Sequence, residues 1–199
     1  LERGEIGTVE SISNEMRAKL RDFFVNKVFT ALTTIWTATN TANNFTSMGG
    51  AITGAALENA INRINQTTPG AKIIVGSRQA VTPITKFGAF WTDGTTTGYA
   101  EELIMRIFEN GWLGKYYGVP VLAIEQVWDD PASYTALIPT DKVLVIGEKV
   151  GEFISYGDVK TKQWTDMNPT PPQWYLELYQ QFGMIIDNAQ GIFMLGDIS

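Results

Sequence analysis

The sequence contains neither cysteine nor histidine. Without cysteine there is no disulfide and no thiolate metal site, and the redox compartment cannot be read. Without histidine the commonest general base and the commonest metal ligand are both missing, and every Ser-His or Cys-His arrangement goes with them. Any chemistry would have to run on carboxylates, lysine or tyrosine. No stretch approaches 18 consecutive apolar residues, so no membrane-spanning helix is expected. Lys and Arg number 15 against 21 Asp and Glu, a net charge of -6. They form no basic run, which argues against tight binding to nucleic acid.

What is present is an ordinary globular composition, 44% hydrophobic and 18% charged over 199 residues, enough for one large domain or two small ones. The chain opens with Leu1-Glu2-Arg3 and not with methionine. The expectation is therefore that its natural N-terminus lies upstream.

Two segments dominate the pattern. From residue 9 to 36, Val9, Ile12, Met16, Leu20, Phe23, Phe24, Val28, Leu32 and Ile35 recur every three or four positions without Gly or Pro. That spacing predicts one long helix with a single apolar stripe, roughly 42 Å long at about 1.5 Å per residue. From Trp174 to Ile186 the even positions Trp174, Leu176, Leu178, Phe182, Met184 and Ile186 are apolar, and only Gln180 interrupts them, while Glu177, Gln181 and Asp187 take the opposite face, to which Tyr175, Tyr179 and Ile185 add some apolar area. With Asp187 included, about fourteen residues of strand at about 3.3 Å each span roughly 46 Å, far beyond a usual strand of about 5 or 6 residues.

Between these lie shorter elements. Residues 37–52 are polar and Gly-rich and read as a break. Thr53 is placed to cap a helix from Gly54 to about Asn65, with Leu57, Ala60, Ile61 and Ile64 on one face and Pro69-Gly70 as the turn after it. Lys72 to Val75 and Val119 to Ile124 read as short strands. Phe87 to Gly98 reads as an exposed loop, and Tyr99 to about Asn110 as a helix. Further strands are expected at about Lys142–Ile146, Glu152–Ser155 and Val159–Thr165, with Gly191 to Leu195 closing the long-stranded sheet. The fold class is α+β, with an α/β portion in the middle. A helix and a strand this long predict a flat or elongated subunit whose flanks are contacts to neighbouring copies.

Possible sites are few. Gly49-Gly50-Ala51-Ile52-Thr53-Gly54 opens a helix but lacks the Lys-Ser/Thr pair of a phosphate loop. Asp129-Asp130 with Glu125 lacks the spacing of a calcium loop. Glu101-Glu102 at a helix start suits the macrodipole without any catalytic role. Trp91, Trp112, Trp128, Trp164 and Trp174 read as core or interface anchors, Trp91 standing out in a Gly/Thr-rich loop.

The order of elements and several segments resemble one family. Ala55 to Asn65 followed by Lys72-Ile73-Ile74-Val75-Gly76-Ser77-Arg78, then Ile84 to Phe87, is similar to its helix, strand and polar turn. Leu113-Gly114-Lys115-Tyr116-Tyr117-Gly118-Val119-Pro120-Val121 is similar to its short strand around proline. Gly147 to Asp158, with Phe153, Tyr156 and Gly157, and Gln181 to Asn188 are similar to its later strands. The family is the major capsid proteins of tailed phages, of the Hong Kong ninety-seven fold.

The resemblance implies a peripheral domain from 1–52 and 142–199, built on a spine helix and a long-stranded sheet, and an axial domain from 53–141. It implies an N-terminal arm and extended loop before Leu1, and carries over no cross-linking residue. The function implied is a structural shell protein, not an enzyme, that assembles into pentamers and hexamers of an icosahedral head around double-stranded DNA. Its partners would be further copies of itself, scaffold and portal proteins, and DNA contacted weakly, with no cofactor, metal or membrane; its place would be the virion, assembled in the bacterial cytoplasm. Trp91, Asp93, Trp128 and Asp129 are the candidate contacts between subunits. The alternatives are the shell of an encapsulin-like protein compartment and, from another class, a carboxylate-dependent enzyme.

Overall fold

The computed structural model describes residues 9–87, 114–126, 128 and 134–199. By its internal contacts the chain divides into two compact units. The first comprises residues 1–28 and 151–185, the second 29–150 and 186–199.

The second unit is built on a six-stranded mixed sheet. Its strands are β1 (Phe45–Gly50), β2 (Ala71–Ser77), β3 (Lys115–Tyr116), β4 (Val119–Ile124), β5 (Val143–Gly147) and β8 (Ile192–Ile198), in the order β1-β8-β5-β2-β4-β3. β1 runs parallel to β8 and β2 parallel to β4, while the β8–β5, β5–β2 and β4–β3 pairs are antiparallel. Central strands buried on both faces read as continuous apolar runs. Val143-Leu144-Val145 and Phe193-Met194-Leu195 are such runs, and all six residues are buried. Opposite pairs Val143–Leu195 and Val145–Phe193 share one face, and Leu144–Met194 the other.

The helix expected after Thr53 is α2 (Gly54–Thr67), which runs on past the expected end at about Asn65 to Thr67. The Thr53 hydroxyl accepts from the Ala56 amide at 3.3 Å, which satisfies one of the unpaired donors of the first turn. Leu57, Ala60, Ile61 and Ile64 are buried as the spacing requires, and they join Val143, Val145, Phe193 and Leu195 in one core. A short helix α3 (Arg78–Val81), capped by the Ser77 hydroxyl, leads into a 3₁₀ turn at Thr82–Lys86, where Ile84 is buried.

The long helix is α1 (Val9–Ile35). Its single stripe is corrected by the structure. Within the first unit Ile12, Met16, Leu20 and Phe24 are half-buried, at a spacing of four. In the last turns the buried residues are Phe29, Leu32 and Thr33, continued by Trp36 just past the helix end, while Phe23 and Ile35 from the expected stripe stand exposed. The change of stripe falls where the chain passes from one unit to the other, at Val28/Phe29. The helix ends in a run of Thr and Asn whose side chains compete for backbone groups. Thr41 Oγ1 accepts from the Thr37 amide and Thr37 Oγ1 from the Asn40 amide, each at 3.1 Å.

Three further expectations change. The break at 37–52 contains β1, whose partner β8 lies some 150 residues away, so no local pattern announces it. Gly49 and Gly50 therefore sit in a strand. The segment from Gly191 belongs to β8, inside the six-stranded sheet and not beside the long strand. Finally, Glu152–Ser155 and Val159–Thr165 are one strand, β6 (Gly151–Asp166), which continues through Gly157 at φ +76. Only glycine enters that region at low cost, so what reads as a strand boundary is a kink within a strand. The expected loop from Gly88 to Gly98 and the helix at 99–110 lie outside the described residues.

The first unit pairs β6 with β7 (Gln173–Ile186) in a sheet of two strands. The connection, residues 167–172, is too short for a parallel crossover, so the two form an antiparallel hairpin. Side-chain contacts agree: Trp164 stacks on Tyr175 at 5.3 Å, the Gln180 amide donates to the Gly157 carbonyl at 3.3 Å, and Phe153 stacks on Phe182 at 5.5 Å.

Candidate assembly surface

Burial is divided unequally between the two units. Every buried hydrophobic residue among those described lies in the second unit. The first unit has none, although it holds roughly a third of the described residues. Its nearest equivalent of a core is a half-buried cluster in which Phe24 of α1 meets Phe182 edge-on at 4.3 Å and Phe153 at 6.5 Å.

The first unit also carries about two thirds of the large hydrophobic side chains that stand exposed among the described residues. Because side chains alternate along a strand, β7 sorts them into two faces. Leu176, Leu178, Gln180, Phe182 and Met184 are half-buried, and Tyr175, Glu177, Tyr179, Gln181 and Ile185 are exposed. Trp164 shares the exposed face with Tyr175, and Lys162 Nζ lies 5.1 Å above the Trp164 ring. Tyr and Trp present large contact area with few rotors, which is why they anchor protein interfaces.

Of the four contacts expected from the sequence, Trp91, Asp93 and Asp129 lie outside the described residues. Trp128 is 44% exposed, bridged to Ala136 and set edge-on to Tyr134 at 5.5 Å. Trp128 belongs to the second unit and the aromatic hairpin residues to the first. Sequence reasoning names Trp164 and Trp174 as anchors, and it reads Tyr175, Tyr179 and Ile185 only as some apolar area on the polar face of the strand, not as contacts. The signal was there, because tyrosines at 175 and 179 fall on the odd, polar face of an alternating strand.

Two clefts lie among the described residues. The roomier described cleft, about 240 Å³, is lined by Asn40, Thr41, Asn43, Asn44, Ala189 and Gln190, none of which ionises. A smaller hollow of about 60 Å³ on the hairpin, beside Asp158 and Lys160, has a single carboxylate. Among the described residues no three acidic side chains gather as metal ligands would, and no helix is long and apolar enough to cross a membrane. One electrostatic perturbation stands out. Tyr116 donates to Glu58 at 3.2 Å, and the neighbouring Tyr117 phenol is held above its usual range by hydrogen bonding to Glu58 and by its negative charge. Tyr117 and Gly118, at φ 49 and 79, form the tight turn between β3 and β4.

No family model matches the sequence, and no curated protein matches it either. Solved structures do. A phage-related protein from Bordetella bronchiseptica superposes with a TM-score of 0.59 at 12% identity, over 97% of this chain and 69% of the other. A chain of mycobacterium phage Che8 gives 0.58 at 10% identity, over 96% and 64%. The SrpI encapsulin from Synechococcus elongatus gives 0.56 at 11% identity, over 100% and 69%. At such identities the likeness speaks for the fold, and it runs through nearly the whole chain, both units included. The long helix, the long-stranded hairpin and the mixed sheet are thus the α+β fold of phage capsid and encapsulin shells, the Hong Kong ninety-seven fold.

Proposed function

We propose that this chain is the shell-forming subunit of a closed particle, the head of a tailed phage, assembled from rings of five and six copies around double-stranded DNA. The observation that carries the reading is the first unit, which has no buried side chain among its described residues and an exposed aromatic sheet. A unit that cannot bury a core within its own chain gains one from neighbours. Each contact can be weak, because a subunit that touches several neighbours gains from multivalency. The long helix and the hairpin belong to the peripheral part of the subunit. Residues 53–141 contribute the axial part, whose sheet is completed by β1, β5 and β8. Trp91, Asp93, Trp128 and Asp129 are proposed contacts to neighbouring copies. Scaffold and portal proteins are the further partners this reading implies, with the virion as its place.

A net charge of -6 lets DNA lie against such a wall without being held. The chain should therefore retain no duplex DNA at physiological salt. The second reading, an encapsulin-like compartment enclosing protein cargo, is favoured by the likeness to SrpI, which is nearly as close as the two phage-related ones.

The test is negative-stain electron microscopy with light scattering on the full-length product of the gene. Closed shells or rings of five and six support the proposal, and nucleic acid or protein inside them separates the two readings. A stable monomer across wide ranges of concentration and salt overturns both and reopens the carboxylate-dependent enzyme.

A further inference from the structure

The two free edges of the hairpin are not alike. β6 carries Glu152, Asp158, Lys160, Lys162 and Asp166 and is kinked at Gly157, features that blunt an edge against pairing with another strand. β7 has a single charged residue, Glu177, no proline and no residue at positive φ over its 14 residues. Among the described residues it pairs with β6 alone, so its other edge presents an unpaired row of amide and carbonyl groups. A long, flat, apolar edge of this kind is a template for a further strand.

The sequence of β7 says which strand. It is nearly self-complementary about Gln180. If a second copy of β7 is laid antiparallel beside the first, with Gln180 opposite Gln180, Leu178 meets Phe182, Leu176 meets Met184 and Trp174 meets Ile186 on the half-buried face. On the exposed face Tyr179 meets Gln181, Tyr175 meets Ile185, and Glu177 meets Gly183, so no like charges oppose each other. Directly opposed residues in an antiparallel pair are the side-chain contacts that stabilise a sheet.

Gln180 fixes the register. It is the one polar residue on the half-buried face, and in any other register that keeps like faces together it lies opposite an apolar residue or beyond the end of the partner strand. Covering the amide with an apolar side chain there is unfavourable, because its carbonyl oxygen would lose water without gaining a donor. At the two-fold axis each Gln180 can donate to the other's carbonyl oxygen, while keeping its present bond to the Gly157 carbonyl. A polar residue at an axis that selects one register at some cost in stability is familiar from coiled coils.

We propose that β7 pairs with β7 of a second copy of this chain about a two-fold axis at Gln180, joining two hairpins into one four-stranded sheet. The inference rests on the shell reading for its setting and names one of the contacts that reading requires. On the order of a dozen main-chain hydrogen bonds would form. The partner is committed by the self-complementary sequence, and an unrelated strand would not match both faces.

Absence of native cysteine makes the test direct. Single variants Gln180→Cys, Tyr175→Cys and Ile185→Cys are prepared in the full-length protein and oxidised under assembly conditions. In the proposed register residue 180 faces itself, within reach of a disulfide, whereas two copies of residue 175 lie roughly 33 Å apart. Gln180→Cys should therefore cross-link alone, and Tyr175→Cys and Ile185→Cys only when mixed, each by roughly tenfold over its unpaired control. The exposed positions 175 and 185 keep the test available should Gln180→Cys fold poorly.

Equal cross-linking at all three positions, or none in the mixture, overturns the pairing. Electron microscopy of the same samples separates the two ideas. Particles without these cross-links sink the strand pairing and leave the shell reading standing. Cross-linked dimers that never close into particles sustain the pairing and sink the shell reading.

Discussion

Gly147 closes β5 where that strand passes the end of α2, and it has no room for a side chain. A Cβ there would lie 2.6 Å from Thr68 Oγ1, 2.9 Å from Ile64 Cγ2 and 3.0 Å from Thr68 Cγ2. Neither neighbour can retreat easily. Ile64 is fully buried, and the Thr68 hydroxyl donates to the Ile64 carbonyl at 2.9 Å. Forcing a methyl group into a packed core costs about 1–3 kcal/mol. With a urea dependence of about 2 kcal/mol per molar, Gly147→Ala should lower the unfolding midpoint by about 0.5–1.5 M. The assay is urea unfolding followed by far-UV circular dichroism, with Gly50→Ala as control, since nothing lies within 4 Å of a Cβ at Gly50. Thr68→Ala removes two of the three crowding atoms, so adding it to Gly147→Ala should cost less than the sum of the two single changes, by about 1 kcal/mol. An unchanged midpoint for Gly147→Ala, or strict additivity in the double variant, would refute the packing argument.

Four further outcomes are expected. The Tyr117 phenol should titrate above the usual tyrosine value of about 10, and Glu58→Gln should bring it back, as followed by phenolate absorbance. Because the folded state then holds its proton at a pH where the unfolded state has lost it, this group's contribution to stability should fall as pH rises from about 10 through the folded pKa. Thr53→Ala should cost about 1 kcal/mol through loss of the α2 cap, measured by the same urea transition. Trp36→Phe should cost about 1–3 kcal/mol, because Trp36 is 1% exposed and its Nε1 donates to the Ile192 carbonyl at 2.9 Å; a loss below 0.5 kcal/mol would contradict its placement. In hydrogen exchange on the dispersed chain, amides of β6 and β7 should exchange far faster than those of β5 and β8, and β7 should gain protection on assembly; equal protection in the dispersed chain would refute the burial contrast.

How much of this was legible depends on the range of the interactions. The cap at Thr53, the buried face of α2 and the 14-residue β7 are set by neighbours within a few positions, and the spacing of residues displays them directly. β1 was missed because its six residues, Phe45 to Gly50, show no alternation and are held by a strand at the far end of the chain. The kink at Gly157 was taken for a strand end because glycine marks both. The change of stripe along α1 escaped because one apolar face was assumed for 27 residues, whereas Phe29, Leu32 and Trp36 serve a different set of partners from Met16, Leu20 and Phe24. Of the candidate contacts, Trp128 was legible as an exposed aromatic. On the hairpin, Tyr175, Tyr179 and Ile185 are legible as apolar area on the polar face of the strand, but the stacking of Tyr175 on Trp164 is not, because it depends on how the two strands pair.

The contrast between the two units bears on why the sequence tolerates such a strand at all. A long apolar edge is a hazard to a protein that must remain monomeric, and selection would be expected to place lysine, proline or a bulge on it. β6 has received that treatment and β7 has not, although the two lie side by side in one hairpin. The asymmetry is hard to account for if both edges face only water. It follows at once if one edge is meant to stay free and the other to be covered. Gln180 sharpens the argument, since a strand selected only for stacking its half-buried face would gain by carrying leucine there. An amide kept at the centre of a self-complementary strand costs stability in the isolated chain and repays it in register when two chains meet.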